Sequence, residues 1–276
     1  MLQDEIVAAL RADGRAGLIV DRRERHLEAA ALAAGLVLSR VWATETDAAG
    51  SRVCLGLLTS PHRARGLPRT IDLSDVSYTR RVDHFYLPAA GDSAVTATLF
   101  NVISSIYDDM ISRNINLSMA ETLLRVVAGS AGSGAKKILD YGCGTGLAFE
   151  ACKRLGFAGT VALVGTDISQ GMLERAQERG ERVIPYVEWQ MLSPSIWDGT
   201  ISAFTLHYGL ATDDLARIAR QLKPKALFAA NFIKAGDAEL TALRSQLSQA
   251  QLTVEAITPS TTADGTDNPI LIMRKT

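Results

Sequence analysis

Apolar residues in the C-terminal half of the chain follow two patterns that alternate along the sequence. Short apolar runs, such as KKILDY (136–141) and TVALVGTD (160–167), are separated by segments whose apolar residues recur every three to four positions, such as LAFEACKRLG (147–156) and SQGMLERAQERG (169–180). Runs of the first kind are typical of buried strands, and segments of the second kind are typical of amphipathic helices. The alternation predicts an α/β fold with a mostly parallel sheet.

The same rhythm continues to the C-terminus. Four further strands are predicted in YVEWQML, TISAFTLHY, ALFAANFI and QLTVEAIT, and a last one in NPILIMRK. Helices are predicted in DDLARIARQLK, which Pro224 ends, and in DAELTALRSQLSQA. Because the polar turn STTADGTDN joins the last two strands directly, we expect them to be antiparallel.

The first 95 residues predict a small, separate α/β domain. GLIVDR predicts a strand, RHLEAAALAAG a helix, and LVLSRVWATE and RVCLGLLTS two strands joined by a turn, whereas 59–92 lacks clear periodicity and predicts an irregular connection or short edge strands. The order strand, helix, strand, turn, strand over 15–59 recurs over 225–275, although chance explains this match equally well. A helical segment at 96–130 leads into the second domain, 96–276.

Composition limits the partners and the compartment. The 29 basic and 30 acidic side chains balance, so the formal charge of −1 gives no general attraction for nucleic acid or for an anionic membrane. Three cysteines form no CxxC pair and are odd in number, which argues against a disulfide framework and a structural zinc ion. The acidic, amphipathic N-terminus MLQDEIVAAL does not resemble a secretory signal. We expect a cytoplasmic protein that binds no metal, nucleic acid or membrane.

The segment ILDYGCGTG (138–146) predicts a site where bare backbone meets a small molecule. Glycines at 142, 144 and 146 between a strand and a helix allow a sharp turn and let a ligand lie against main-chain groups. A dinucleotide fingerprint would need G-x-G-x-x-G, and Leu147 breaks that spacing. A phosphate-binding P-loop would need Gly-Lys-Ser/Thr after the turn, which is absent from the sequence.

Two acids favour a cationic nucleoside as the ligand. Asp140 precedes the first glycine, where a carboxylate would repel phosphate but attract an ammonium or sulfonium group. Asp167 ends the second strand, where a carboxylate can accept hydrogen bonds from both ribose hydroxyls. The carboxyl ends of parallel strands share one crevice, so both acids can contact one ligand. A ribose at one end and a positively charged amino acid at the other describe S-adenosylmethionine.

Together with TISAFTLHY and LKPKALFAANFIK, these segments resemble the class I S-adenosylmethionine-dependent methyltransferases over about residues 100–276. The resemblance implies a doubly wound seven-stranded sheet of order 3-2-1-4-5-7-6 with the last strand antiparallel. It also implies roles for the site. The methionine moiety would be held by Asp140 and the loop that contains Gly142, Cys143, Gly144 and Gly146, while Asp167 would bind the ribose and Ile168 one face of the adenine.

Some positions depart from the pattern of the family. Members often place an Asp after the third strand for the adenine amino group, and here that region is Gln190-Met191-Leu192-Ser193. We expect Gln190, Met191 and Leu192 to line the adenine site, with Gln190 or main-chain groups in place of the acid. Tyr107 resembles the aromatic residue that many members bring over the cofactor. Cys143 lacks an identifiable activating partner, so we predict that it contributes backbone contacts only.

His207 and Tyr208 are the predicted catalytic residues. They follow the fourth strand, where the transferred group meets its acceptor in this fold, and a histidine there can take a proton from a hydroxyl, amine or thiol. A role for His207 in packing alone is an equal alternative. Asn231 and Lys234, past the fifth strand, are candidates for the rim of the acceptor site.

The sequence therefore predicts an enzyme that transfers the methyl group of S-adenosylmethionine to a small-molecule acceptor. The N-terminal domain would serve as a lid or as the contact of a homodimer. Two alternatives stay open: an enzyme that displaces at another sulfonium carbon and releases methylthioadenosine, by transfer or cyclisation of the aminocarboxypropyl arm, and a non-catalytic, cofactor-binding partner subunit.

Overall fold

The computed structural model describes residues 2–12, 16–45, 52–61, 67–81, 84–129, 134–208, 212–232, 237–260 and 268–275. The chain forms two compact units, Met1–Met110 and Ile111–Thr276, so the division lies later in the chain than the boundary at residue 95 expected from the sequence. The reason is that the helix at Ser93–Ile103 packs on strands of the N-terminal sheet. In the described part of the chain, no helix is long and apolar enough to cross a membrane.

The N-terminal unit is built on a six-stranded sheet. Its described helices are α1 (Leu2–Ala12), α2 (Glu24–Ala34), α3 (Ser93–Ile103) and α4 (Tyr107–Met110), and its strands are β1 (Gly17–Asp21), β2 (Val37–Glu45), β3 (Arg52–Thr59), β4 (Thr70–Asp72), β5 (Ser77–Arg81) and β6 (Phe85–Pro88). The sheet has the order β2-β3-β1-β6-β5-β4. Its last three strands are the short strands that were one alternative for the irregular segment. One helical turn separates Leu27 from Ala30 and Ala31 on α2, and all three side chains are buried against this sheet.

The C-terminal unit alternates helices and strands as predicted. Its described helices are α5 (Arg113–Gly129), α6 (Leu147–Arg154), α7 (Gln170–Glu178), α8 (Tyr186–Gln190), α9 (Thr212–Gln221) and α10 (Asp237–Gln249). Its strands are β7 (Lys136–Tyr141), β8 (Val161–Thr166), β9 (Arg182–Val183), β10 (Trp197–Ser202), β11 (Leu222–Asn231), β12 (Leu252–Thr258) and β13 (Ile270–Lys275). Successive strand residues enter opposite layers: Ile138 packs with α5 and α6, and Leu139 with α8, α9 and α10.

The order of the seven strands confirms the expected topology. The sheet runs β12-β13-β11-β10-β7-β8-β9, which is 6-7-5-4-1-2-3 in order of occurrence. Strands β7 to β11 pair in parallel, and β13 is antiparallel to both β11 and β12. The chain runs outward from β7 to β9 and then returns to β10, so the order reverses between β7 and β10. In parallel sheets the crevice at such a reversal, at the carboxyl ends of the strands, is the usual place for a ligand.

The predicted third strand is wrong. YVEWQ forms helix α8, and the short strand β9 lies earlier, in the segment predicted as a polar turn. A strand would have buried Val187, Trp189 and Met191 together, but Val187 is 62% and Met191 77% exposed, while Trp189 is fully buried. Tyr186 and Trp189, three positions apart, stack at 5.6 Å between ring centroids on one helix face. Pro185, with extended backbone, stands at the start of this helix.

The predicted fourth strand is too long. Strand β10 ends at Ser202, and Phe204 has a positive φ of 55°, a backbone conformation incompatible with a strand. Leu206, His207 and Tyr208 form a 3₁₀ turn beyond it. The predicted catalytic residues therefore lie on a loop after the strand rather than on the strand itself.

The repeat suggested by the sequence is present in the topology. In the N-terminal unit, β1, α2, β2 and β3 give the order β2-β3-β1, with β3 antiparallel to both neighbours. In the C-terminal unit, β11, α10, β12 and β13 give the order β12-β13-β11, with β13 antiparallel to both neighbours. The two segments share connectivity and strand direction.

Candidate functional site

The glycine-rich loop joins β7 to α6 at the predicted place. Gly142, Gly144 and Gly146 all have positive φ, at 73°, 54° and 82°. A Cβ at Gly142 would lie 2.9 Å from the Thr205 Cβ and closer still to two other Thr205 atoms, whereas a Cβ at Gly144 would meet no atom within 4 Å. The first glycine is therefore required by close packing inside the protein, and the second has open space beside it.

Asp167 ties this loop to the end of β8. Its Oδ2 accepts a hydrogen bond from the Gly144 backbone N–H at 3.0 Å, and its Oδ1 accepts one from the Ser169 N–H at 2.9 Å. Burial raises the pKa of the Asp167 carboxyl to about 6, although the backbone donors partly oppose that rise. The carboxylate is thus fixed in place beside the open face of Gly144.

Asp140 lies near the end of β7, and its carboxylate has no hydrogen-bond partner among the residues that the structure describes. It is only 3% exposed, and no residue in the described part of the chain donates a hydrogen bond to its carboxylate. Burial, together with the negative charge of Asp167, raises its pKa to about 7. A buried carboxylate in this condition is stabilised by a ligand that brings a positive charge or a hydrogen-bond donor.

The loop after β10 packs directly on the glycine-rich loop. The Ser202 hydroxyl donates to the Tyr141 carbonyl at 2.8 Å, and Thr205 Oγ1 lies within hydrogen-bond distance of two carbonyl oxygens, those of Ala203 at 3.2 Å and Gly142 at 3.4 Å. From the other side, Oδ1 of the fully buried Asn231 accepts a hydrogen bond from the Phe204 N–H at 2.6 Å. The segment that carries His207 and Tyr208 is therefore held between β7 and β11.

His207 and Tyr208 lie together on this loop. Their rings are 4.2 Å apart between centroids, and His207 is buried while Tyr208 is partly exposed. Asn231 holds the loop from beneath rather than lining an open rim. Lys234, the other rim candidate, lies outside the described residues.

Other predicted residues have varied surroundings. Cys143 is buried, and burial raises the pKa of its thiol well above the ordinary value, which disfavours a thiolate nucleophile. Ile168 is partly exposed directly after Asp167. Tyr107 begins α4 in the N-terminal unit and packs edge-to-face on Phe100 at 5.8 Å, and its contact with a cofactor stays a prediction.

The residues predicted to line the adenine site lie at the end of α8 and directly after it. Gln190 is the last residue of α8, Met191 follows it at 77% exposure, and Leu192 packs against the core beneath α9 and α10. These residues follow a helix rather than the third strand, and their contact with adenine stays a prediction. Trp189 of the same helix packs on Tyr141 at 5.1 Å, and Asp214 accepts hydrogen bonds from the hydroxyls of Tyr141 at 2.7 Å and Tyr186 at 2.6 Å.

Three residues at this site were missed by sequence reasoning. Thr205 and Asp214 reach the β7 end from 63 and 73 positions away, and no local pattern announces such contacts. Glu181 lies under the loop within a segment predicted as a polar turn, although it is only 4% exposed. In the described part of the chain, no group of three or more His, Cys, Asp or Glu side chains is arranged to hold a metal ion.

Comparison with known proteins agrees with this geometry. A family model described as a methyltransferase domain matches residues 138–225, from the middle of β7 into β11. The C-terminal region is a class I S-adenosylmethionine-dependent methyltransferase domain. Within this methyltransferase domain, the matched segment contains the glycine-rich loop, Asp167 and the loop after β10.

Solved structures share the fold at low sequence identity. The [4+2]-cyclase SpnF is 16% identical with a TM-score of 0.53, and the similarity covers 67% of this chain and 97% of that one. Magnesium protoporphyrin IX methyltransferase (ChlM) from Synechocystis PCC 6803, with bound SAM, is 14% identical with a TM-score of 0.51 over 67% and 97% of the two chains. At such identities these similarities support the fold of the methyltransferase domain alone. No curated protein sequence matches the chain.

Proposed function

We propose that the protein transfers the methyl group of S-adenosylmethionine to a small-molecule acceptor. The observation that carries this proposal is Asp140, a buried carboxylate at the end of β7 to which no described residue donates a hydrogen bond. The ammonium and sulfonium groups of S-adenosylmethionine are the complement that such an acid needs. The match of residues 138–225 to a methyltransferase domain supports the same ligand.

The nucleoside end of the ligand fits the neighbouring strand. The Asp167 carboxylate accepts backbone hydrogen bonds from Gly144, Ser169 and Ile168, and an ionised carboxylate has about four acceptor positions, so it can still accept a hydrogen bond from a ribose hydroxyl. The space beside Gly144 lets the ligand approach the main chain. Ile168 follows Asp167 and would lie against the adenine, whereas Gln190, Met191, Leu192 and Tyr107 are kept as predicted contacts.

The protein's main tasks in such a reaction are to align two groups and to exclude water. When bound, S-adenosylmethionine supplies an electrophilic methyl group, and in-line displacement needs a base only if the acceptor carries a proton. The loop that contains His207 and Tyr208 is fixed against Gly142, so it can orient an acceptor at the methyl group. His207 would accept a proton from a hydroxyl, amine or thiol acceptor, with Tyr208 beside it.

A small acceptor fits the balanced charge of the chain better than a nucleic acid. With a formal charge of −1 and a pI near 6.4, the protein lacks the overall basic character that phosphate backbones select. The similarity of fold to a [4+2]-cyclase is a reminder that this architecture supports more than one chemistry. The products therefore have to be identified.

Product analysis tests the reaction. The protein is incubated with S-adenosylmethionine and a pool of small metabolites, and the nucleosides formed are followed by mass spectrometry. We expect S-adenosylhomocysteine together with an acceptor heavier by one methyl group. Asp140→Asn should abolish the product, because a neutral amide cannot attract the cation, whereas Asp213→Asn, which replaces an exposed acid on α9, should not.

The other outcomes separate the alternatives. Methylthioadenosine as the product would show that the enzyme displaces at another sulfonium carbon and does not transfer the methyl group. Binding of S-adenosylmethionine without any turnover across the pool would favour a non-catalytic subunit.

A further inference from the structure

Glu181 is a buried acid that the proposed reaction does not use. It lies between α7 and β9, is 4% exposed, and donates its backbone N–H to the Ala176 carbonyl at 3.0 Å. Both carboxyl oxygens are inaccessible to solvent, and neither has a hydrogen-bond partner in the described part of the chain. A carboxyl group in this position is costly to keep charged, so its presence needs a physical account.

The carboxyl group fills the space directly beneath the glycine-rich loop. Its Oε2 lies 2.9 Å from the position that a Cβ at Gly146 would take, and its Oε1 lies 3.0 Å from the corresponding position at Gly165 on β8. Cys143 Sγ lies 2.8 Å from that same position at Gly165. Glu181 therefore occupies the gap that two absent side chains leave between the loop and the strand.

Four titratable groups lie around Glu181, and two of them act on it as charges: the negative Asp140 and the positive Arg179. Asp140 faces it from β7, Cys143 from the loop, Cys152 from α6 and Arg179 from the end of α7. The guanidinium of Arg179 is paired with Glu150 at 3.3 Å. Burial raises the pKa of Glu181 well above its ordinary value, the charge of Asp140 raises it further, and Arg179 only partly opposes the rise.

When two buried carboxyl groups interact, their pKa values move apart, and the group that is less accessible to solvent keeps its proton to higher pH. Glu181 is sealed under the loop, whereas Asp140 stands at the strand end where a ligand arrives. We propose that Glu181 is a positioning residue of the cofactor site: its protonated carboxyl supports the glycine-rich loop from below and leaves Asp140 to carry the negative charge toward the cationic ligand. This inference rests on the proposed function for the identity of that ligand.

The test compares Glu181→Gln, which keeps shape without charge, with Glu181→Ala, which empties the space. Titration calorimetry with S-adenosylmethionine at about pH 8 should give an affinity for Glu181→Gln within about threefold of wild type. Glu181→Ala should weaken binding by about tenfold, because the loop loses its support. Glu178→Gln, an exposed acid on α7 paired with Arg175, is the matched control and should change nothing.

Melting temperatures measured over a pH series test whether Glu181 keeps its proton in the folded protein, and they need no ligand. An acid whose pKa is raised in the folded state destabilises that state increasingly as pH rises above the pKa of the same acid in the unfolded chain. The melting temperature of Glu181→Gln should therefore be higher than that of wild type at about pH 8 and equal to it at about pH 4. A difference that does not change with pH, or a loss of more than about tenfold in affinity for Glu181→Gln, would overturn the inference. If wild type fails to bind S-adenosylmethionine, the proposed function falls, and this melting series still decides whether Glu181 keeps its proton.

Discussion

The surroundings of Asp140 disfavour the ionised form of its carboxyl group. It is buried, it receives no hydrogen bond from a described residue, and Asp167 adds a second negative charge nearby. A residue that served stability alone would be poorly placed there. A site that must attract a cation, in contrast, gains binding strength from an acid that is not already satisfied.

Replacing this acid should stabilise the free protein while it abolishes binding. With a folded pKa of about 7 against an ordinary value of 3.8, wild type loses stability as pH rises from about 4 to about 7, because the unfolded chain releases this proton first. Asp140→Asn removes that loss, which is on the order of 4 kcal/mol at pH 8, less the cost of the unmet hydrogen bonds of the new amide.

Urea unfolding of wild type and Asp140→Asn at several pH values measures this effect. The gain should be present at about pH 8 and absent at about pH 4. Equal stability of the two proteins at the higher pH would mean that folding does not raise the pKa of Asp140. Asp213→Asn provides the exposed comparison.

Residues with a local sequence signature were predictable, and those defined by distant contacts were not. The glycines, Asp140 and Asp167 lie in or beside one strand–loop–helix unit, so their spacing indicated a site. Thr205 and Glu181 meet that unit only after the sheet has assembled, and nothing in their immediate neighbours marks them. Close packing against Gly142 and Gly146 is a tertiary property.

At the scale of elements, α8 shows how a short apolar segment misleads. YVEWQML alternates well enough for a strand, yet the two rings that pack on the core, the partly buried Tyr186 and the fully buried Trp189, are spaced for one helical turn. For so few residues, periodicity alone cannot distinguish a strand from a helix. The longer helices and the strands with continuous apolar runs had enough residues for the pattern to be decisive.

Paired substitutions on α8 test the helical assignment. Val187→Lys should change the free energy of unfolding by less than about 0.5 kcal/mol, because this side chain is mostly exposed. Trp189→Ala should cost about 4 kcal/mol, because it empties a fully buried site between Tyr141 and Tyr186. Chemical denaturation measures both. A large cost for Val187→Lys would indicate that Val187 is buried together with Trp189, as in a strand.

For the whole molecule, strand alternation and one short polar link predicted a mostly parallel sheet with an antiparallel last strand, whereas the strand order was implied by the resemblance to the methyltransferase family. The N-terminal unit was predictable as an α/β unit, but the pairing of β4, β5 and β6 was not, since such short strands depend on their neighbours. Its resemblance to the β11–β13 segment is one of connectivity. The acceptor is not defined by any sequence pattern, because the residues that select it belong to no recognisable motif.

Equilibrium binding of S-adenosylmethionine to the full chain at about pH 8, where Asp140 is mainly ionised, tests the proposed cofactor site most directly. We predict saturable binding at one site per chain by titration calorimetry, lost in Asp140→Asn and kept in Asp213→Asn. Absence of binding to wild type, or equal binding by Asp140→Asn, would contradict this prediction.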